Sequence, residues 1–373
     1  MIYADHAATT ALSATAREAM QPWHQAQFGN PSTLYSLARE PRRAVLAARE
    51  GIAGAIGALP EEIFFTSGGT EADNWALKGT AFRYAHGKRI ITSAIEHHAV
   101  LSSCASLQRM GYPVSLLPVD RAGIVSVDEL STAISSDTVL VSVMLANNEI
   151  GTIEPISQLA EAAHTHGLLF HTDAVQAIGH IPVNVNKLQV DMLSASAHKF
   201  NGPKGVGFLY VRAGSELLPL IDGGGQERGM RAGTENVAGI VGMAAALQEH
   251  IRHIDEEAVF LNSLTQFLVN MLHETRLDFI TNGSDHRIPG SLSLSFRNAD
   301  GEMLLHRLDL MGTCVATGSA CNSKETEVSH VIQAIQVPDD YRNGTIRITL
   351  GMDNTQEQMA MIVGQIVKIL ENR

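Results

Sequence analysis

The stretch DMLSASAHKFNGPKGVG, residues 191–207, runs apolar into Ser196, Ala197, His198 and Lys199 and then breaks into a Gly/Pro turn. The apolar part reads as a buried strand, and the turn residues stop it. Lys199 then stands where a strand hands over to a loop, the edge at which open α/β sheets place their chemistry. An amine partly desolvated at such an edge has a lowered pKa and can attack a carbonyl to form a Schiff base. By itself the stretch reads more simply as a surface lysine closing a strand. The rest of the chain changes that balance.

Outward from this stretch, strands alternate with helices. The pattern predicts strands at 63–66, 89–93, 113–118, 138–145 and 168–172, with helices at 99–110, 127–134 and 156–166 between them. Strands at 189–196 and 205–211 flank Lys199. Such alternation implies an α/β fold with a parallel or mostly parallel sheet covered by helices on both faces. Nearer the N-terminus, a short extended segment leads into an amphipathic helix, a turn at Gly29, Asn30, Pro31 and Ser32, and a second helical stretch over 36–56. Residues 237–270 read as a long helix. Beyond it the pattern becomes α+β, with strands at 291–296 and 345–350 and helices at 301–309 and 356–370. The expected division is a large α/β domain over 1–261 and a smaller α+β domain over 262–373, the N-terminal segment contributing to the smaller one.

The strand at 63–66 is followed by Ser67, Gly68, Gly69 and Thr70 and then a helix. Strand, small-residue turn and helix together present backbone N–H groups and a helix dipole to an anion. A phosphate-bearing ligand suits such a turn, although an ordinary tight turn has the same sequence.

Composition narrows the function classes. The formal net charge of −12, with no Lys/Arg cluster, argues against nucleic-acid binding, which rests on basic patches. No apolar stretch is long enough to cross a bilayer and no basic N-terminal segment precedes one, so a cytoplasmic protein is expected. Cys104, Cys314 and Cys321 are too few and too irregularly spaced for a disulfide framework or an all-cysteine zinc site. A sparse, odd set leaves room for one working thiol.

Polar residues of the same few kinds recur just past the strands. Glu96, His97 and His98 follow one; Asn147, Asn148 and Glu149 another; Asp173 and Gln176 a third; His198 and Lys199 a fourth. Each alone could be a solvated loop residue or a helix cap. Four strands delivering such side chains to one edge point to a site. A metal centre is the weaker account, because the adjacent His97 and His98 point apart on extended backbone and no carboxylate or cysteine set completes a tetrahedron at ligand spacing. A Schiff-base lysine, a carboxylate, a flat imidazole and a phosphate-cradling turn are instead what pyridoxal phosphate needs.

FTSGGTEADN (65–74), EHHAVL (96–101), ANNEIGTI (146–153), HTDAVQ (171–176), SASAHKFNGPKG (194–205), GGGQERGMRAGTEN (223–236), ATGSACNSK (316–324) and IRITLG (346–351) occur in this order. In these eight segments the chain resembles the cysteine desulfurases of the NifS and IscS type, pyridoxal-phosphate enzymes with the class V aminotransferase (fold type I) architecture. The resemblance runs from Tyr3 to the C-terminus.

The resemblance implies roles. Lys199 would hold the cofactor, Asp173 would pair with its pyridine nitrogen, Gln176 would contact its phenolic oxygen and His97 would stack on its ring. Gly69, Thr70, Ser196 and His198 would surround the phosphate, joined by Thr234 from the partner subunit of a homodimer. Asn30, Asn148 and Arg347 would hold the carboxylate of L-cysteine, a task that suits the guanidinium fork. Cys321, among the small residues of GSACNS, would sit on a mobile loop, take the substrate sulfur as a persulfide and release alanine. The persulfide would pass to an iron-sulfur scaffold or another sulfur-acceptor protein. Cys104 and Cys314 read as core residues. The chain departs from the family pattern at His6, where asparagine is usual, and at Tyr35, where histidine is common; it also ends at Arg373, soon after its last helix, where the housekeeping relatives carry a longer tail for the scaffold. A selenocysteine lyase or another pyridoxal-phosphate lyase acting on a small amino acid is the rival within the fold, and a catalytically silent sulfur-transfer scaffold the rival outside it.

Overall fold

Short runs of Ile, Val, Leu and Phe build a seven-stranded central sheet in the computed structural model, which describes residues 1–84, 86–318 and 328–371. After the N-terminal strand β1 (Ile2–Tyr3), the sheet takes β2 (Ile63–Thr66), β3 (Arg89–Ser93), β4 (Val114–Leu117), β5 (Thr138–Ser142), β6 (Leu169–Asp173), β7 (Met192–Ser196) and β8 (Gly207–Val211). Their order is β2-β8-β7-β6-β5-β3-β4. Only β8 runs against its neighbours in this sheet, so the expected mostly parallel arrangement is present.

The strands are buried on both faces, and their period of two sorts the side chains. Ile63, Phe65, Ile91, Val141, Leu193 and Phe208 join one core, under the helices Ala14–His24, Arg39–Ile56 and Ile156–Thr165. Phe64, Ile90, Leu140, Met192 and Leu209 join the other, under Gly69–Ala81 and His98–Arg109. Cys104 lies in that second core, where burial pushes its thiol up to about 12. Cys314 is only partly buried.

A third core gathers around an antiparallel sheet ordered β12-β10-β9, made from β9 (Phe279–Thr281), β10 (Ser291–Phe296) and β12 (Thr345–Thr349). The helices Gly301–Leu310 and Gln356–Glu371 cover it. β1 pairs in parallel with β11 (Thr313–Cys314), and Ile2 and Ala4 enter this core. The long helix extends over Val237–His273. Ile240, Met243 and Leu247 face the first core, whereas Leu261, Leu264, Leu268 and Leu272 face the third. The boundary expected near Asn262 therefore falls inside one continuous helix. No helix among the described residues is long and apolar enough to cross a membrane.

Candidate active site

The C-terminal ends of β3, β5, β6 and β7 open on one cavity of 680 Å³, within the size range of small-molecule sites. β7 ends at Ser196, and a single 3-10 turn over Ala197–Lys199 lifts Lys199 off the strand into the cavity wall. Its ammonium donates to the carbonyls of Ala7 (2.5 Å) and Ala8 (3.0 Å) on the N-terminal segment. Gln176 Nε2 donates to the same Ala7 carbonyl at 3.0 Å.

Asp173 closes β6 and is 4% exposed. Its carboxylate accepts the Val175 N–H at 2.9 Å. Burial raises its pKa, while His97, that N–H and the Lys199 charge all pull the other way. His97 caps the helix that follows it, its Nδ1 accepting the Ala99 N–H at 3.1 Å. Burial lowers the His97 pKa against the pull of Asp173. A ligand atom of Asp173, one of His97 and one of Asp73 lie within 4.8 Å of one another. Such spacing can suit a metal ion, but the Lys199 charge beside Asp173 and His97 works against a cation there.

The strand, small-residue turn and helix expected after residue 63 are present, β2 leading through Ser67 and Gly68 into the helix Gly69–Ala81. Gly68 takes φ 151°, a region that L side chains rarely adopt, and heads the helix Gly69–Ala81. A side chain at Gly69 would meet Val175 Cγ2 at 2.5 Å, so only glycine lets the turn pack this close. The first N–H groups of that helix have no carbonyl partner within it and point outward. Thr70 and Ser196 line the same end of the cavity. His198 also lines it, with Nδ1 3.2 Å from the Thr9 hydroxyl; burial and the nearby Lys199 and Lys204 charges push its pKa down to about 4.

Arg347 reaches into the same cavity from β12 and is 7% exposed. It donates to the Asn148 carbonyl at 2.8 Å and to Asp5 at 2.7 Å, and its Nε is buried with no hydrogen-bond partner. Glu149 lies beside it, accepting the Ser329 hydroxyl at 2.6 Å; burial pushes its pKa up to about 7 against the Ser329 bond and the Arg347 charge.

Two expected residues lie apart from the cavity within this single chain. Asn30 caps its own turn, accepting the Ser32 N–H at 2.9 Å, and Thr234 is exposed on the segment before the long helix. Cys321 lies outside the described residues. Asp5 and Asp73, which the sequence did not single out, also line the cavity, together with Glu149, which it placed among the polar residues past a strand without a specific role. Asp73 carries a readable signal: a carboxylate on a helical face otherwise made of Ala72, Ala76, Leu77 and Thr80.

Comparison with known proteins adds a family to this geometry. Residues 2–362 match the class-V aminotransferase family. The chain is 50% identical over 372 residues to a cysteine desulfurase IscS from Dictyoglomus turgidum, covering 99% of this chain and 94% of that protein. A solved structure described as a NifS-like protein aligns with a TM-score of 0.94 at 39% identity, covering 100% of both chains. A second, described as SspA in complex with cysteine, aligns with a TM-score of 0.84 at 35% identity over 94% of this chain and 99% of that one. The chain thus belongs to the class-V aminotransferase family, among its cysteine desulfurases of the NifS and IscS type.

Proposed function

We propose that the protein is a pyridoxal-phosphate-dependent cysteine desulfurase that converts L-cysteine to L-alanine and receives the sulfur on Cys321 as a persulfide. The observation that carries this reading is the meeting of Lys199, buried Asp173 and Arg347 around one cavity, in a chain whose relatives bear that name. The residues fit the cofactor. Lys199 would hold it, Asp173 would stabilise a protonated ring nitrogen, His97 would lie against the ring, and the Gly68–Thr70 turn with Ser196 and His198 would take the phosphate. When bound, pyridoxal phosphate supplies an electron sink that eases removal of an amino acid's α-proton.

The chain's own residues do the rest. Arg347 and Asn148 orient the substrate carboxylate, with Asn30 as a further candidate. The Lys199 amine, once released, is the base positioned to move the α-proton. The Cys321 thiolate forms an S–S bond with the substrate sulfur as the C–S bond breaks, and the electron pair stays on the three-carbon fragment. That fragment takes up a proton and leaves as alanine, so no outside oxidant is consumed. The same reading makes the protein a cytoplasmic homodimer in which Thr234 serves the partner's phosphate site, and it takes 1–261 and 262–373 as its two domains. An iron-sulfur scaffold or another acceptor protein then collects the sulfur.

The test is alanine and sulfide release from L-cysteine with a thiol reductant, alongside the visible spectrum. Wild type should be yellow and active. Cys321→Ala should keep the colour and lose cysteine turnover at least a hundredfold. Normal turnover in that variant would remove Cys321 as the nucleophile and favour a lyase, of which a selenocysteine lyase is the first to assay.

A further inference from the structure

Behind Asp173 lies a second carboxylate that the proposed reaction does not use. Asp73, on the helix Gly69–Ala81, is 1% exposed, and its Oδ1 has no hydrogen-bond partner. One of its carboxylate oxygens lies within 4.8 Å of one on Asp173. Two buried like charges at such a distance oppose each other with little screening, so the pair resists full ionisation.

The groups facing Asp73 decide where the charge goes. The imidazole nearest its Oδ1 is His171, with Nε2 at 3.7 Å. His171 is fully buried, and burial drives its pKa down to about 3, so it brings no positive charge. Its two ring nitrogens are already within hydrogen-bond distance of Ser142 Oγ (2.9 Å) and Ser194 Oγ (3.0 Å). Glu96, beyond the end of β3, adds no cation either; burial pushes it up to about 8, and it works against a charge on Asp73. A ring nitrogen of His97 also lies within 4.8 Å of an Asp73 carboxylate oxygen, but burial lowers its pKa, and the influence that favours ionisation of Asp73 is hydrogen bonding from Ser194. Asp173, in contrast, has the Val175 N–H, His97 and the Lys199 charge.

We propose that Asp73 is a positioning residue that keeps its proton at neutral pH and so leaves the negative charge of the pair on Asp173, where the cofactor's ring nitrogen would need it. This inference rests on the cofactor reading for its purpose, but the proton on Asp73 is measurable without the cofactor. An unfolded aspartate has a pKa near about 4 and gives its proton up above that pH. A native Asp73 that keeps its proton therefore costs stability as pH rises, tenfold in the unfolding constant per pH unit until the native proton leaves.

The experiment is urea unfolding of the cofactor-free protein between pH 5 and pH 8 for wild type, Asp73→Asn and Asp73→Ala. The unfolding constant of wild type should rise at least tenfold relative to both variants over this window. The slope is the readout, because a packing defect in either variant shifts the curve without tilting it. A flat or reversed relative slope overturns the proposal. Asp173→Asn should move the window to lower pH, since it removes the opposing charge; an unmoved window overturns the pairing. Adding pyridoxal phosphate separates the two readings. Should wild type take up no visible chromophore, the cofactor reading fails and with it the purpose given to Asp73, while the slope still decides where the proton sits.

Discussion

Arg347 divides its guanidinium between the Asn148 carbonyl and Asp5, and keeps Nε buried without a partner. A planar fork can hold these two groups and still meet a substrate carboxylate, whereas a lysine ammonium offers one centre for all three. Charge-assisted hydrogen bonds contribute about 1.5–3 kcal/mol each. Arg347→Lys is therefore expected to raise KM for cysteine by roughly ten- to a hundredfold, with a smaller effect on kcat. Steady-state kinetics decides it, and an unchanged KM would take the carboxylate role away from Arg347. At this scale the sequence was informative where a polar residue directly follows an apolar run, as with Asp173, His198 and Lys199. Asp5 and Asp73 escape that signal. Asp5 acquires its partner from residue 347, and Asp73 is buried because its helix packs across β5, β6, β7 and β8.

Elements are held in place by features that periodicity does not reveal. The segment between β8 and the long helix contains Glu227 and Arg228, both with positive φ (45° and 60°). Glu227 makes a bidentate pair with Arg49 (2.8 and 2.6 Å) and accepts the Phe65 N–H at 3.0 Å, tying this segment to the edge strand β2. Arg49 also lies over the Phe65 ring at 4.4 Å. Both members of the pair are buried, so removing one leaves the other charged and uncompensated. Glu227→Ala is expected to destabilise the protein by about 3–5 kcal/mol. The double change Arg49→Met with Glu227→Leu should recover most of that loss. Urea unfolding of the single and double variants tests the pair, and a single variant within 1 kcal/mol of wild type would show that solvent replaces Arg49's partner; that threshold is about the size of one ordinary surface effect. Strands of four residues or more were readable because their alternation or apolar run has length. The two-residue β11 and the three-residue β9 were not, and β1 was legible only as a short extended segment: they hold their shape by pairing with distant chain, and so short a run has little pattern to detect.

The N-terminal segment, like the long helix, connects the third core to the central sheet. Ile2 and Ala4 are buried in the third core, and the Ile2 and Ala4 N–H groups donate to the Gly312 and Cys314 carbonyls at 2.7 and 2.9 Å. Asp5 then pairs with Arg347, and the Ala7 carbonyl receives both Lys199 and Gln176 from the central sheet. Asn201, two residues past Lys199 and at φ 58°, extends the connection: its N–H donates to the Thr10 hydroxyl at 2.8 Å, and its side-chain oxygen is 3.0 Å from His250 Nε2 on the long helix. Chain stretches near residues 5, 199 and 347 thus line one cavity, and Asn201 ties the Lys199 turn to the long helix. Deleting residues 1–6 would uncover the part of the third core that Ile2 and Ala4 fill, unpair β11 and leave the buried Arg347 without Asp5. Burial of an isoleucine contributes about 2–3 kcal/mol, and the orphaned charge adds to this, so a loss of about 4 kcal/mol or more is expected. Cofactor retention should fall with it, because the Ala7 and Ala8 carbonyls that border Lys199 lose their anchor. Asp5→Asn, which keeps the strand and removes only the charge, should cost less stability and act mainly on KM for cysteine. Comparing urea midpoints and retained visible absorbance for the two variants distinguishes a strand that stitches the cores together from a single counter-charge: equal losses would assign the whole effect to Asp5, and a deletion as stable as wild type would show that the third core closes without β1.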